Sequence, residues 1–182
     1  MYNTPFFKLV SERRSIRKFQ NRPVEREKLL QCLEAARLAP SACNGQPWKF
    51  IAVDEPEIKK KLAMEAFSGI YSATMHAAEA PVLVAVVSEK RSFKTWAGKQ
   101  ITGTDFRLVD LGIACEHFVL QAAELGIGTC WLGWFDSKKA AAALKVPDGC
   151  KVEILISAGY SAQSPETRPR KRPEEMSSFN SF

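Results

Sequence analysis

Histidine is scarce in this chain: two in 182 residues, His76 and His117, neither near a cysteine nor in a His-Glu-x-x-His pattern. The five cysteines, Cys32, Cys43, Cys115, Cys130 and Cys150, are scattered and form no Cys-x-x-Cys pair. Zinc and dithiol redox sites need such spacings, so no metal centre is expected. No Gly-x-Ser-x-Gly elbow offers an acyl-transfer nucleophile. The longest apolar run, Pro81 to Val87, is far short of the about 20 residues that a membrane-crossing helix requires. Met1 to Arg14 holds no apolar stretch before a small-residue cleavage site, so no signal peptide is read there and a cytoplasmic location is expected. Neither a repeat nor a second core is visible, and one domain over residues 1–182 is the expectation at this length.

What is present is ordinary globular material: 46% hydrophobic and 25% charged residues, enough to exclude a wholly disordered chain. The net charge of +6 favours anionic partners. Its excess gathers at the two ends, in Arg13, Arg14, Arg17, Lys18 and Arg22 and in Arg168, Arg170, Lys171 and Arg172. Taken alone, each cluster reads as a solvated basic face. A nucleic-acid-binding module is the alternative from another class, although interleaved aromatics are missing. A small phosphorylated ligand held from two sides accounts for both clusters at once.

Thr4-Pro5 reads as a cap and start for a helix ending near Arg14, and a second helix fits Val24 to Leu38, closed by Pro40. Trp48 to Val53 has the pattern of a strand, and Asp54 with Pro56 restarts a helix. A short helical piece surrounds His76. Val82 to Val87 reads as a buried central strand. A long helix from Thr104 or Asp105 to Leu125, apolar over most of its circumference, is expected to be buried and to stop at Gly126. A strand at Thr129 to Leu132, a helix at Ser137 to Leu144 capped by Asp136, and a strand at Val152 to Ala158 follow. The class is mixed α and β; the pattern leaves strand pairing open. From Ser161 the chain is a proline-rich basic tail.

Three segments carry chemistry. Arg13-Arg14-Ser15-Ile16-Arg17-Lys18-Phe19 offers three guanidiniums and a hydroxyl, the guanidinium forks matching phosphate oxygens, or forms a basic turn. Ala39-Pro40-Ser41-Ala42-Cys43-Asn44-Gly45-Gln46-Pro47-Trp48 offers polar groups for the edges of a ring, or merely connects a helix to a strand. Gly126-Ile127-Gly128-Thr129-Cys130-Trp131-Leu132-Gly133 lets a backbone pass close to a flat ligand, or forms a tight turn and a core strand. The Trp134-Phe135 pair beyond it reads as exposed. The glycines do not open a helix, so this is no dinucleotide fingerprint.

In this order, and together with Asp110-x-Gly112-x-Ala114 and the Arg170-Lys171-Arg172-Pro173-Glu174-Glu175 tail, these segments resemble the nitroreductase family of FMN-dependent oxidoreductases. The resemblance implies an α+β fold with a central, mainly antiparallel sheet flanked by helices, in an intertwined homodimer with FMN at the subunit interface. It implies that Arg13, Arg14, Ser15 and Arg17 hold the FMN phosphate and ribityl chain, while Pro40, Ser41, Ala42 and Asn44 approach from the partner. Trp131, Leu132 and Gly133 would lie along the ring, with the Gly133 N–H near the flavin nitrogen that accepts hydride. From the tail, packed on the dimer, alignment of the two glutamates selects Arg170 and alignment of the proline selects Lys171, with Arg172 as a neighbour. NADH or NADPH would be the donor, and a nitroaromatic, quinone or related small molecule the acceptor. A dehalogenase or flavin-consuming enzyme of the same fold is the alternative. Phe93, Trp96 and Trp134 are candidate walls for a flat substrate. His76 stands either as a structural histidine or as a ligand contact.

Overall fold

The computed structural model describes residues 3–89 and 103–182. Strands β1 (Trp48–Val53), β2 (Val82–Ser88), β3 (Gly128–Leu132) and β4 (Lys151–Gly159) form one sheet in the order β1-β2-β4-β3, with every pair antiparallel. β2 lies inside the sheet and is buried along its whole length, as its unbroken apolar run requires.

Successive β2 residues point to opposite faces, and each face has its own helical layer. Val82, Val84 and Val86 join a core with α2 (Arg26–Arg37) and α4 (Phe106–Glu124). Leu83, Ala85 and Val87 join a second core with α3 (Pro56–Ala66) and α5 (Ser137–Ala143). The result is the expected α+β architecture, an antiparallel sheet flanked by helices. Helix α1 (Pro5–Glu12) precedes these layers, and a single turn, α6 (Pro173–Met176), lies in the tail.

Two details differ from the sequence reading. The long helix α4 buries a stripe of Leu111, Ala114, Cys115, Phe118, Val119 and Ala122, spaced as one helical face. It is not buried all round: Phe106, Leu108 and Val109 remain exposed on the chain. The start of α3 is capped by Glu55, whose carboxylate accepts from the Glu57 and Ile58 N–H groups, while Asp54 pairs with Arg26 at 2.8 Å. Helix α4 stops before Gly126 as read, where φ is +74°. The piece around His76 is a 3-10 helix, Gly69–Glu79.

The outer edge of β3 is covered by the segment after α1. Ile16 N–H donates to the Thr129 carbonyl at 2.8 Å, in a parallel bridge of Ser15 with Thr129. Further on, Gln20 N–H donates to the Tyr160 carbonyl at 2.8 Å and Ala162 N–H to the Lys18 carbonyl at 3.0 Å. This strap fixes the early arginines against the ends of β3 and β4. Gly128 lets it lie so close: a Cβ there would stand 2.5 Å from the Ile16 side chain. Here the glycine admits the chain's own strap.

Candidate active site

The strap and the tail bring the two basic clusters together. Arg13, Arg14, Ser15 and Arg17 line a cleft of about 240 Å³ with Pro165, Glu166, Arg168 and Arg170. Five guanidiniums thus face one another across a small space in which Glu166 is the only carboxylate among the described lining residues. Arg14 is locked: its guanidinium donates to the Ser11 and Arg13 carbonyls at 2.7 and 2.9 Å and to Thr167 Oγ1 at 2.6 Å. That last bond ties the tail to the strap. Arg170 donates to the Pro169 carbonyl at 3.2 Å. The guanidiniums of Arg13, Arg17 and Arg168 make no hydrogen bond or close ion pair among the described residues, so their donors are available to an anion. Burial pushes the nearby Glu116 carboxyl up, against the opposing pull of Arg13 and His117.

Of the tail candidates, Arg170 lines the cleft and Lys171 and Arg172 do not. Arg172 instead serves α6: its backbone N–H donates to Glu175 Oε2 at 2.7 Å, and its Nε lies 3.7 Å from the same carboxylate.

β3 runs away from the cleft. Gly133 lies four positions beyond Thr129, which is bridged to Ser15, a distance of about 13 Å at strand rise. Trp131 is partly exposed on this path. The Leu132 side chain is buried in the core with α3 and α5, leaving only its backbone for contact. Gly133 faces open space, since a Cβ there would meet nothing within 4 Å. Phe135, read as exposed from the sequence, belongs to the same core as Leu132. Trp134 is exposed, and its indole is held by a 3.0 Å bond to the Ile70 carbonyl and by the tilted ring of Tyr71.

The loop Pro40–Gln46 is not brought to the cleft. It packs near the start of α4, where Ala42 N–H donates to Asp110 Oδ1 at 3.0 Å. Ala123, at the other end of α4, lies beside Arg13 and Arg14, about 20 Å away at helical rise. Within the loop, Cys43, Asn44 and Gln46 have φ of 53°, 52° and 43°, a left-handed conformation rare for residues with a side chain. Ser41 Oγ accepts from Gln46 N–H at 3.0 Å and closes the loop. Asp110, which the motif contains without a role, is the buried anchor of this loop. A carboxylate on the apolar stripe of a helix is the sequence signal that marks it.

The remaining candidates are quieter. The Cys32 and Cys115 thiols are pushed up to about 11 and about 12 by burial, which makes them unreactive core members. Cys130 is also raised by burial, against Arg17 and Arg13. His76 Nδ1 lies 3.3 Å from the Ala73 carbonyl, and its Nε2 is buried with no partner among the described residues. Phe93 and Trp96 lie outside the described residues. A more voluminous cavity, about 620 Å³, is elsewhere, along the outer edge of β1 between Arg26 and Lys145. It mixes apolar walls with charged residues of both signs and gathers no set of like donors, so the arginine cleft is the better candidate despite its size. No group of metal-ligating side chains occurs among the described residues, and no described helix is long and apolar enough to cross a membrane.

Comparison with known proteins agrees with the fold. The model of the nitroreductase family matches residues 10–160. A curated relative from Archaeoglobus fulgidus, provisionally named NADH dehydrogenase/NAD(P)H nitroreductase, is 33% identical over 157 residues, 84% of this chain and 83% of the relative. A solved structure from Clostridium difficile R20291, called an FMN-dependent nitroreductase, has a TM-score of 0.78 at 31% identity, covering 97% of this chain and 99% of its own. A nitroreductase family protein from Clostridium novyi NT has a TM-score of 0.77 at 31% identity, covering 91% and 89%. This chain belongs to the nitroreductase family.

Proposed function

We propose that the chain is an FMN-dependent oxidoreductase taking electrons from NADH or NADPH and passing them to a nitroaromatic, a quinone or a related small acceptor. The observation that carries this reading is the convergence of both ends of the chain on one arginine cleft. A phosphomonoester needs several charge-assisted donors from more than one side, and Arg13, Arg14, Arg17 and Arg170 with the Ser15 hydroxyl supply that set. The donor chemistry therefore fits FMN. The run from Thr129 to Gly133 is long enough for a ribityl chain and the near part of a flavin ring, and the open face of Gly133 lets a ring approach its backbone.

When bound, FMN supplies the two-electron chemistry that no side chain here provides. The protein's part is to hold and polarise. The arginines fix the phosphate end, so the ring end is set by the length of the chain between them. Trp131 offers a flat apolar surface beside the ring. In this reading the Gly133 N–H would donate to a ring nitrogen and favour negative charge there. Likewise, Pro40, Ser41, Ala42 and Asn44 come from a second copy of the chain. The distance of about 20 Å along α4 between that loop and the cleft of the same chain supports a homodimer. So do the exposed apolar side chains on α1 and α4, Phe6, Val10, Phe106, Leu108 and Val109.

The test is optical. Purified protein, as isolated or after addition of FMN, is expected to show a bound-flavin spectrum that NADH or NADPH bleaches and an acceptor restores. A colourless protein that takes up no FMN contradicts the reading.

A further inference from the structure

The arginine cleft does not end at Arg13 and Arg14. These two side chains and Pro165 also line a second cavity, of about 400 Å³, that continues toward the end of α4. Its walls are of a different kind. Ile16, Ala123, Ile127 and Gly128 present apolar surface, while Gln163 and Ser164 present an amide and a hydroxyl. Gly126, which also lines it, leaves its Cβ direction empty. An apolar slot with a few polar groups suits a flat heterocycle. Glu12, also on the lining, offers a carboxylate that can accept from an exocyclic amino group.

The spread of donors leads to the same ligand. The cleft sets five guanidiniums against Glu166. A phosphomonoester gathers its acceptor oxygens at one phosphorus, whereas a diphosphate of similar total charge spreads them over two. The wider spread lets guanidiniums from both sides of the cleft each find an acceptor. We propose that the second cavity receives the adenosine of a dinucleotide flavin, so that the site takes FAD as well as FMN. The diphosphate spans Arg13, Arg14, Arg17, Arg168 and Arg170, and the adenine lies between Ala123 and Ser164. This inference rests on the FMN reading, because both flavins use the same arginines.

Calorimetric titration of flavin-free protein with FMN and with FAD tests it. FAD is expected to bind within tenfold of FMN. Ser164→Trp, on the exposed rim, and separately Ala123→Trp, on the helix, narrow the second cavity while every arginine of the cleft is kept. Either is expected to weaken FAD at least tenfold and leave FMN within twofold. FAD binding more than tenfold weaker than FMN, or variants that weaken both flavins alike, overturns the proposal while leaving the FMN reading intact. Variants that leave FAD unchanged but raise the Kd of NADH for FMN-loaded protein assign the cavity to the donor and also overturn it. Failure of either flavin to bind overturns the functional reading and this inference with it.

Discussion

Asp110 is the residue whose place in the structure adds most to its place in the motif. It sits on the buried stripe of α4, 4% exposed, and its carboxylate accepts the backbone N–H of Ala42. The loop it holds contains three side-chain-bearing residues in left-handed conformation, each costing about 1 to 3 kcal/mol. Such a loop persists only when fixed from outside, and Asp110 is one of its anchors. Asp110→Ala is expected to lower stability by about 2 kcal/mol, the cost of leaving a hydrogen bond to a charged group unmade. Asp110→Asn keeps an acceptor oxygen and is expected to recover most of that loss. Chemical denaturation of the two variants checks this, and equal losses would show that the charge, not the bond to Ala42, is what counts.

At the scale of elements, the strap against β3 depends on Gly128. Gly128→Ala puts a methyl 2.5 Å from Ile16 Cγ1 and 2.9 Å from its Cβ, so something must shift. Overpacking of this kind costs about 1 to 3 kcal/mol. Ile16→Ala in the same chain is expected to recover part of that cost, since the branched atoms go and the Cβ stays. Independent, additive losses in denaturation of the single and double variants would mean that the two residues do not compete for the same space.

The far end of the strap is held by charge. Tyr160 Oη donates to Glu25 Oε2 at 2.5 Å, Lys28 donates to the Tyr160 oxygen at 2.7 Å, and Arg22 lies over the Tyr160 ring while pairing with Glu25. The Tyr160 hydroxyl, then backbone hydrogen bonding and the neighbouring cations, hold the Glu25 carboxyl down at about 2, against an ordinary 4.5. A depressed carboxyl stabilises the fold above its unfolded value and loses that effect as pH falls through its folded one. Glu25→Gln is therefore expected to melt below the parent at pH 7, with the gap closing between about pH 4.5 and pH 2. Thermal melts across that range check it; a gap that does not change with pH would contradict it.

These elements also show what a sequence can disclose. Trp48 to Val53 is a strand with the bounds its pattern predicts, and Asp136 caps α5 as read, its carboxylate accepting from Lys138 and Lys139 N–H. Both depend on neighbours in the chain. Gly128 did not yield its reason, because Ile16 reaches it only through the fold. Phe135 looked exposed for the same reason: its burial comes from α3 and α5, not from its own segment. The two arginine clusters were visible as clusters, but their meeting rests on the register of Ser15 with Thr129 and on the bond from Arg14 to Thr167.

For the whole molecule, the proposed flavin site is built from two chains, with the arginine cleft of one and the Ser41–Gln46 loop of the other. The direct measurement uses two variants, Arg17→Glu and Asn44→Trp. Each homodimer should carry damage in both sites, and Arg17→Glu is expected to weaken FMN at least tenfold, or about 1.4 kcal/mol. In the mixed dimer one site collects both lesions. The other joins the native Arg17 of the second variant to the native Asn44 of the first. Purified, doubly tagged heterodimer is therefore expected to bind about one FMN per dimer with parental affinity and to regain about half of the parental activity. A folded heterodimer that recovers neither FMN nor activity would contradict the shared site.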